Sequence, residues 1–368
     1  MTGQYYWKPF STIDLDDPFF DTLKADYPGN EHSREFGDWF RTKAQANERA
    51  LVSEDDQGVV AFISLKQEAE RVELQDGTAL PAIERTKIRT IKIDPRNQGQ
   101  RLGEGALGLI LWYWRKTRKD QIYVTVFDKH VALIALLEKF GFRKIGMNLN
   151  GEGVYLKDRR HLDYSDPYKS FPFIDPAFDY AGYIIIRDYY HDTMFPYSEL
   201  KNTLQEKVAL SVANGMCKIY VGVSSSMPYK IGEPVFIYRQ DTKEQYGKKY
   251  RSCLTSYCVI TDIIRPKQSG NEVMSFDALI NRIGNKSVFN KEELRNQYQT
   301  SANMNVYEML YYGYFGEGHN INMDWLQRNG YWVPSGQQGY PADIKLLPAQ
   351  FKEILSEANV DVQNVIID

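Results

Sequence analysis

Apolar positions in the first 160 residues follow a helical period in some stretches and a strand period in others. Phe19, Phe20 and Leu23, then Phe36, Trp39 and Phe40, recur at helical spacing around the turn Tyr27-Pro28-Gly29-Asn30, which predicts two short helices. Gly58–Lys66 is an almost unbroken apolar run entered through Asp55-Asp56-Gln57, and Lys87–Ile93 alternates apolar with polar; both predict strands. A glycine-bearing loop from Asn97 to Gly103 precedes an apolar helix from about Glu104 to Arg118. The strand Ile122–Phe127, a helix from about Val131 to Phe140 and a strand near Val154–Leu156 complete this part.

The texture then changes. Residues 164–178 are rich in Asp-Pro and Phe-Pro steps and read as a linker between a domain at 1–163 and a second at 179–368. A chain of 368 residues has room for two cores. The second domain opens with the strand Tyr183–Arg187 and a helix through Leu200 to Asn214. Strand-like runs follow at Lys218–Val221, Pro234–Tyr238 and Ser256–Ile260, and the remainder reads as more helical. Asn290 with Glu293 three residues on predicts a capping-box helix start.

Composition removes some function classes. A formal net charge of -3 argues against a charge-driven, sequence-independent nucleic-acid binder, so any such site must be local. The 26 tyrosines and 18 phenylalanines supply both core and platforms for stacked bases. No apolar run is long enough for a membrane span, and the N-terminus lacks the basic and apolar regions of a leader. Cys217, Cys253 and Cys258 lie in strand-like surroundings as free thiols, and no His/Cys pair has metal-ligand spacing. The chain is expected to be cytoplasmic, without a metal.

The chemistry concentrates in Ile91–Leu107. A strand, a glycine-containing loop and a helix N-terminus form an anion site, where loop amides and the helix dipole favour a pyrophosphate. With the helix ending Ala135-Leu136-Leu137-Glu138-Lys139-Phe140-Gly141-Phe142, this region resembles the GNAT acetyltransferase family over roughly residues 10–160. The resemblance implies an α/β fold with a mixed central sheet and flanking helices, acetyl-CoA as the acyl donor and N-acetyl transfer to an amine. In the loop, either Gln100 or Gln98 begins the coenzyme motif. Distance from the strand favours Gln98, which assigns coenzyme contacts to Gln98, Gly99, Gln100, Arg101, Leu102 and Gly103, with Arg101 where a glycine is common. The backbone amides near Ile91 and Ile93 take the oxyanion role by resemblance. Two departures stand out: His130 replaces a frequent asparagine, and Leu137 replaces the tyrosine that serves many members as general acid. Glu84, ahead of the central strand, is the candidate base, with Glu68 and Glu70 beside it. His130 is a candidate base or acid, and Tyr155 a substitute acid.

The run Asn214–Val221 followed by Tyr229–Tyr238 resembles PUA-like domains of the ASCH and EVE kinds, small β-barrels associated with RNA or modified bases. Here the barrel would carry helical additions. Lys218 is retained, but Val221 and Val223 stand where some ASCH members carry Glu and Arg, which argues against ASCH-type hydrolysis. Lys243, Lys248, Lys249 and Arg251, interleaved with Tyr246 and Tyr250, are the candidate nucleic-acid contacts. Three readings stay open. The first is an N-acetyltransferase acting on an RNA-borne amine such as aminoacyl-tRNA, as GNAT toxins of toxin–antitoxin systems do. In the second, the enzyme acetylates a protein lysine or small amine, with the second domain as scaffold. The third is a non-catalytic acyl-CoA sensor coupled to nucleic-acid binding.

Overall fold

Strand pairing in the first half follows from the alternation of its residues. In the computed structural model, the strands are β1 (Tyr6–Pro9), β2 (Arg49–Asp55), β3 (Gly58–Glu68), β4 (Val72–Glu73), β5 (Ala79–Leu80), β6 (Arg85–Ile93), β7 (Gln121–Val126), β8 (Arg143–Met147) and β9 (Gly153–Asp158). Seven of them form one sheet in the order β1-β2-β3-β6-β7-β9-β8. Every pair is antiparallel except β6–β7, so the sheet is mixed. The helices are α1 (Asp21–Asp26), α2 (Phe36–Gln45), α3 (Leu102–Thr117) and α4 (Val131–Lys139).

Residues 5–30, 34–97, 99–195, 213–226, 228–242, 248–333 and 344–367 are described by the structure. The chain divides into two units, Met1–Asp163 and Tyr164–Asp368.

In the first unit, Phe10, Phe20, Phe36, Phe40 and Phe62 form an aromatic core that joins α1 and α2 to one sheet face. Helix α3 takes the opposite face. Lys92 reaches α1, where its ammonium donates to Thr22 Oγ1 and to Phe19 O in the turn before it, while Ile93 next to it lies toward Gly103 of α3. Strands β1, β2 and β8 were not read from sequence. β8 is short and largely exposed, and Arg49-Ala50-Leu51-Val52-Ser53-Glu54-Asp55 begins and ends with charge, so neither shows a clean alternation.

The second unit contains β10 (Gly182–Arg187), β11 (Cys217–Gly222), β12 (Pro234–Gln240), β13 (Cys253–Gln268), β14 (Asn271–Glu272), β15 (Met304–Tyr314) and β16 (Ile321–Asn322). They build a curled, half-barrel sheet whose main path is β10-β12-β13-β15-β11. Its described helices are α5 (Pro167–Ser170), α6 (Asp188–Met194), α7 (Lys248–Arg251), α8 (Phe276–Ile283), α9 (Lys291–Thr300), α10 (Met323–Arg328) and α11 (Pro348–Glu357). The helical reading of the last hundred residues misses β15. That strand lies between β13 and β11 and is buried along most of both faces, which erases the period-two signal. The capping box forms: Asn290 Oδ1 accepts from Glu293 N–H and the Glu293 carboxylate from Asn290 N–H, each at 2.9 Å.

Residues 164–178 are a packed part of this unit. Phe171, Phe173 and Ile174 are buried, Ile174 bridges Ile366, and the Tyr312 hydroxyl donates to Pro167 O at 2.6 Å. Most of the helix expected through Leu200–Asn214 falls outside the described residues. All three cysteines are buried thiols outside any disulfide. Among the described residues, no helix is long and apolar enough to cross a membrane.

Candidate active site

The two parallel strands at the centre of the first sheet part company. β6 and β7 pair only over Thr86–Ile88 and Ile122–Val124, and β6 then runs on to Ile93 without β7 beside it. A bulge between Ser64 and Leu65 of β3 and the facing Ile88–Thr90 bends β6 at the fork. Asp94 N–H donates to Val60 O at 2.8 Å, so Asp94 faces β3. Backbone direction alternates along a strand, so the N–H groups of Ile93 and Ile91 point the other way, into the fork.

The loop after β6 carries two residues of positive φ, Gly99 and Arg101. Gly99 takes φ +85°, and a Cβ built there would meet nothing within 4 Å. Arg101, the N-cap of the 16-residue α3, has φ 57°, a left-handed conformation costly for a side-chain-bearing residue. That strained position is where the second motif register expects a glycine. The Arg101 guanidinium folds back onto Glu104 at 2.7 Å and is 9% exposed. Leu102 is buried and its carbonyl accepts from the Tyr5 hydroxyl at 3.0 Å. Gly103 lies inside α3 rather than in the loop, and a Cβ there would stand 3.6 Å from Leu136 and 4.0 Å from Ile93. Gln98 lies outside the described residues.

Helix α4 flanks the same space. Seven of its nine residues are apolar, yet only Leu137 is buried, while Leu133, Ile134 and Leu136 stay partly exposed toward solvent. Leu137, where the resemblance implies a tyrosine general acid, is hydrocarbon in the core and offers no proton.

The candidate acid and base groups separate in space. Glu84 precedes β6, at the end opposite the fork and nine residues, about 30 Å of strand, from Ile93. Its side chain is 72% exposed and pairs with Lys119. Glu68 is buried against the Tyr123 hydroxyl, and Glu70 is exposed beside Lys66. Tyr155 is buried on β9, one strand beyond β7, opposite Val124; burial pushes its phenol up and Lys144 opposes this. His130, at the N-terminus of α4, has its Nε2 3.4 Å from Asp26 Oδ2, and Lys129 pairs with the same carboxylate.

A polar contact not found from sequence lies beside that pair. The Tyr27 hydroxyl donates to Glu152 Oε1 at 2.8 Å, and Asn148 Nδ2 donates to Oε2 at 2.8 Å. The Tyr27 ring also packs on Phe127, just past the free end of β7. Burial, then the Glu152 charge, pushes the Tyr27 phenol well above its ordinary range. Only the Asn-Gly-Glu-Gly turn at 150–153 signals this contact, and such a turn is commonplace in sequences.

Of the candidate nucleic-acid contacts, Lys243 and Tyr246 lie outside the described residues, and Lys248 and Lys249 are described only as backbone of α7. Arg251 Nε is 2.7 Å from the carboxylate of buried Asp241.

Residues 16–142 match the model of the Acetyltransferase (GNAT) family. This part of the chain is a GNAT acetyltransferase domain. No curated protein matches the sequence. Among solved structures, the chain is similar to NAA60 of Arabidopsis thaliana in complex with a bisubstrate analogue, at 12% identity and a TM-score of 0.29, covering 42% of this chain and 95% of that one. It is also similar to an N-acetyltransferase from Staphylococcus aureus, at 12% identity and a TM-score of 0.28 over 42% and 97%. A mutant ASCH protein from Zymomonas mobilis gives 10% identity and a TM-score of 0.30 over 47% and 93%.

Proposed function

We propose that the GNAT domain transfers an acetyl group from acetyl-CoA to an amine, and that the second unit is a PUA-like module presenting an RNA-borne amine such as that of aminoacyl-tRNA. The observation that carries the reading is the fork, where β6 continues past β7 with the amides of Ile91 and Ile93 directed into the gap. Acetyl-CoA supplies the activated thioester.

The chain's own residues fit such a donor in three places. Ile91 and Ile93 offer N–H donors to a developing oxyanion without reorganisation. Gly99, Gln100, Arg101, Leu102 and Gly103 carry backbone amides into the N-terminus of α3, which suits a pyrophosphate. The partly uncovered apolar side of α4 suits an aliphatic arm. For proton removal from the acceptor ammonium, His130 is the group we favour, because Asp26 holds its ring beside the open end of β7. Tyr27 and Glu152 border the same opening.

A second reading rests on Leu137. With a buried hydrocarbon in the acid's place, the domain would bind acyl-CoA without turnover and act as a sensor. A third acceptor class, a protein lysine or small amine, differs only in what enters the opening. Release of free thiol from acetyl-CoA, followed with charged tRNA, a lysine peptide and a polyamine in parallel, separates the three. Release with charged tRNA alone is the expected result. Release only with the peptide or polyamine moves the second unit to a scaffold role. Binding without release from any acceptor leaves the sensor.

A further inference from the structure

The turn that joins β7 to α4 carries an amine of the chain's own to the mouth of the fork. Phe127-Asp128-Lys129-His130 is closed by His130 N–H donating to Phe127 O at 3.0 Å, and His130 O then accepts from Ile134 N–H as α4 begins. β7 extends two residues beyond Val124, its last pairing with β6, so the turn follows directly on its free end. Asp128 has its own cation, Lys144, at 2.8 Å. Lys129 turns instead toward α1, where its ammonium donates to Asp26 Oδ1 and lies 5.7 Å from the centre of the Phe127 ring.

One carboxylate therefore holds an amine and an imidazole side by side. Lys129 is on Oδ1 of Asp26, and His130 Nε2 is 3.4 Å from Oδ2. Tyr27, next to Asp26 in the chain, packs on Phe127 at 5.5 Å and completes the aromatic side. Between a carboxylate and a ring face, Lys129 Nζ has the surroundings that attract an ammonium. Its side chain is nevertheless 57% exposed. Ion pairs this open to water hold weakly, so the amine can leave Asp26 and swing on its flexible stem.

The direction of approach also fits. α1 and α3 cover opposite faces of the sheet, and the proposed anion site at the start of α3 brings the coenzyme in from the α3 side. A thioester carbonyl held in the gap by the Ile91 and Ile93 amides then has its other side open to an amine from the α1 side, which is where Lys129 stands.

We propose that Lys129 is itself an acetyl acceptor, modified in cis by its own domain with His130 as the base. The proposal rests on the acetyltransferase reading of the fork. His130 takes one proton from the Lys129 ammonium. The neutral Nζ forms a C–N bond to the acetyl carbonyl carbon as the C–S bond to coenzyme A breaks, and the second ammonium proton ends on the departing sulfur as free thiol. His130 returns its proton to solvent. The products are Nε-acetyl-lysine and coenzyme A, and the chain loses one positive charge beside Asp26.

The test is peptide-resolved mass spectrometry of the full chain incubated with acetyl-CoA, with coenzyme binding measured by calorimetry on each sample. Lys119, paired with Glu84 at the far end of β6, reports the background of uncatalysed acetylation. Lys129 is expected to be acetylated about a hundredfold faster than Lys119, with a rate constant unchanged on dilution of the chain. His130→Ala should slow the step about a hundredfold and still bind acetyl-CoA. A stoichiometric burst of thiol without any added acceptor is expected from wild type and not from Lys129→Arg. Acetylation of Lys129 no faster than that of Lys119, in a chain that binds acetyl-CoA, overturns the proposal, as does a rate constant that rises with chain concentration. Either result alongside transfer to charged tRNA would leave the acetyltransferase reading standing, whereas no acetyl-CoA binding at all would bring down both.

Discussion

The ammonium of Lys157 lies 2.6 Å from the carbonyl oxygen of Phe140, the C-cap of α4, and is almost completely buried. A cation there complements the exposed carbonyls of a helix end. Burial, with Arg143 adding like charge, brings its pKa down to about 7. The unfolded chain keeps this proton up to the ordinary lysine value of about 10.4. Between these limits the unfolded state binds more protons, so this group's contribution to stability rises with pH. Comparing Lys157→Met with wild type by urea unfolding at pH 7 and 9.5, wild type should gain a few kcal/mol relative to the variant at the higher pH. A pH-independent difference would show that the lysine does not titrate there.

Asp158 makes the opposite prediction. Burial pushes its carboxyl up, but hydrogen bonds from Arg160 and Gln121 outweigh this and hold it down at about 2. Its stabilisation is therefore complete above the unfolded value of about 3.9 and fades as pH falls toward 2. Asp158→Asn should lose about 2 kcal/mol at pH 7 and almost nothing at pH 2, measured by thermal or urea unfolding.

Arg101 combines backbone strain with a charge at the proposed anion site. Arg101→Gly removes a left-handed side-chain penalty of about 1 kcal/mol, so the free protein should melt no lower than wild type. If the guanidinium meets a phosphate, acetyl-CoA affinity should fall about tenfold. An unchanged affinity would assign Arg101 to holding Glu104 alone.

His130 and Asp26 are predicted to act together. His130→Ala should slow acetyl transfer by about 10²-fold or more with little change in acetyl-CoA affinity, and Asp26→Asn should reproduce part of that loss. Steady-state kinetics of both single variants and the double variant decide it. Independent, additive losses would argue against a shared role.

In the second unit, Arg239 makes two hydrogen bonds to Asp192, at 2.8 and 2.9 Å, and Asp192 in turn holds buried His191 at 2.8 Å. The other His191 nitrogen meets Thr255 Oγ1 at 2.7 Å. Arg239→Leu leaves a mostly buried carboxylate without its cation and should cost about 3 kcal/mol or more. Chemical unfolding of the variant measures it.

Some of this was legible in the chain and some was not. The β6–loop–α3 run could be read because a strand, a loop with special backbone needs and an apolar helix lie consecutively, and the proposed Ile91–Gly103 site needs little beyond that local order. Glu84 shows the limit. A carboxylate next to the central strand in sequence lies far from the fork in space, because a strand displaces its ends by several ångströms per residue. The contacts His130–Asp26 and Tyr27–Glu152 join positions 104 and 125 residues apart, and no local pattern encodes such pairings. β15 was missed because burial on both faces removes the alternation that marks a half-buried strand. The Tyr220–Tyr307 ring contact was missed with it, since that contact exists only once β11 and β15 are paired.

Amide hydrogen exchange of the full chain, with and without acetyl-CoA, tests the central claim most directly. The account predicts slowed exchange at Ile91, Ile93 and from Gly99 to Gly103, with protection along α4 and none in β10–β16. Saturating acetyl-CoA with unchanged exchange across Ile91–Gly103 would contradict the placement of the coenzyme in the fork between β6 and β7.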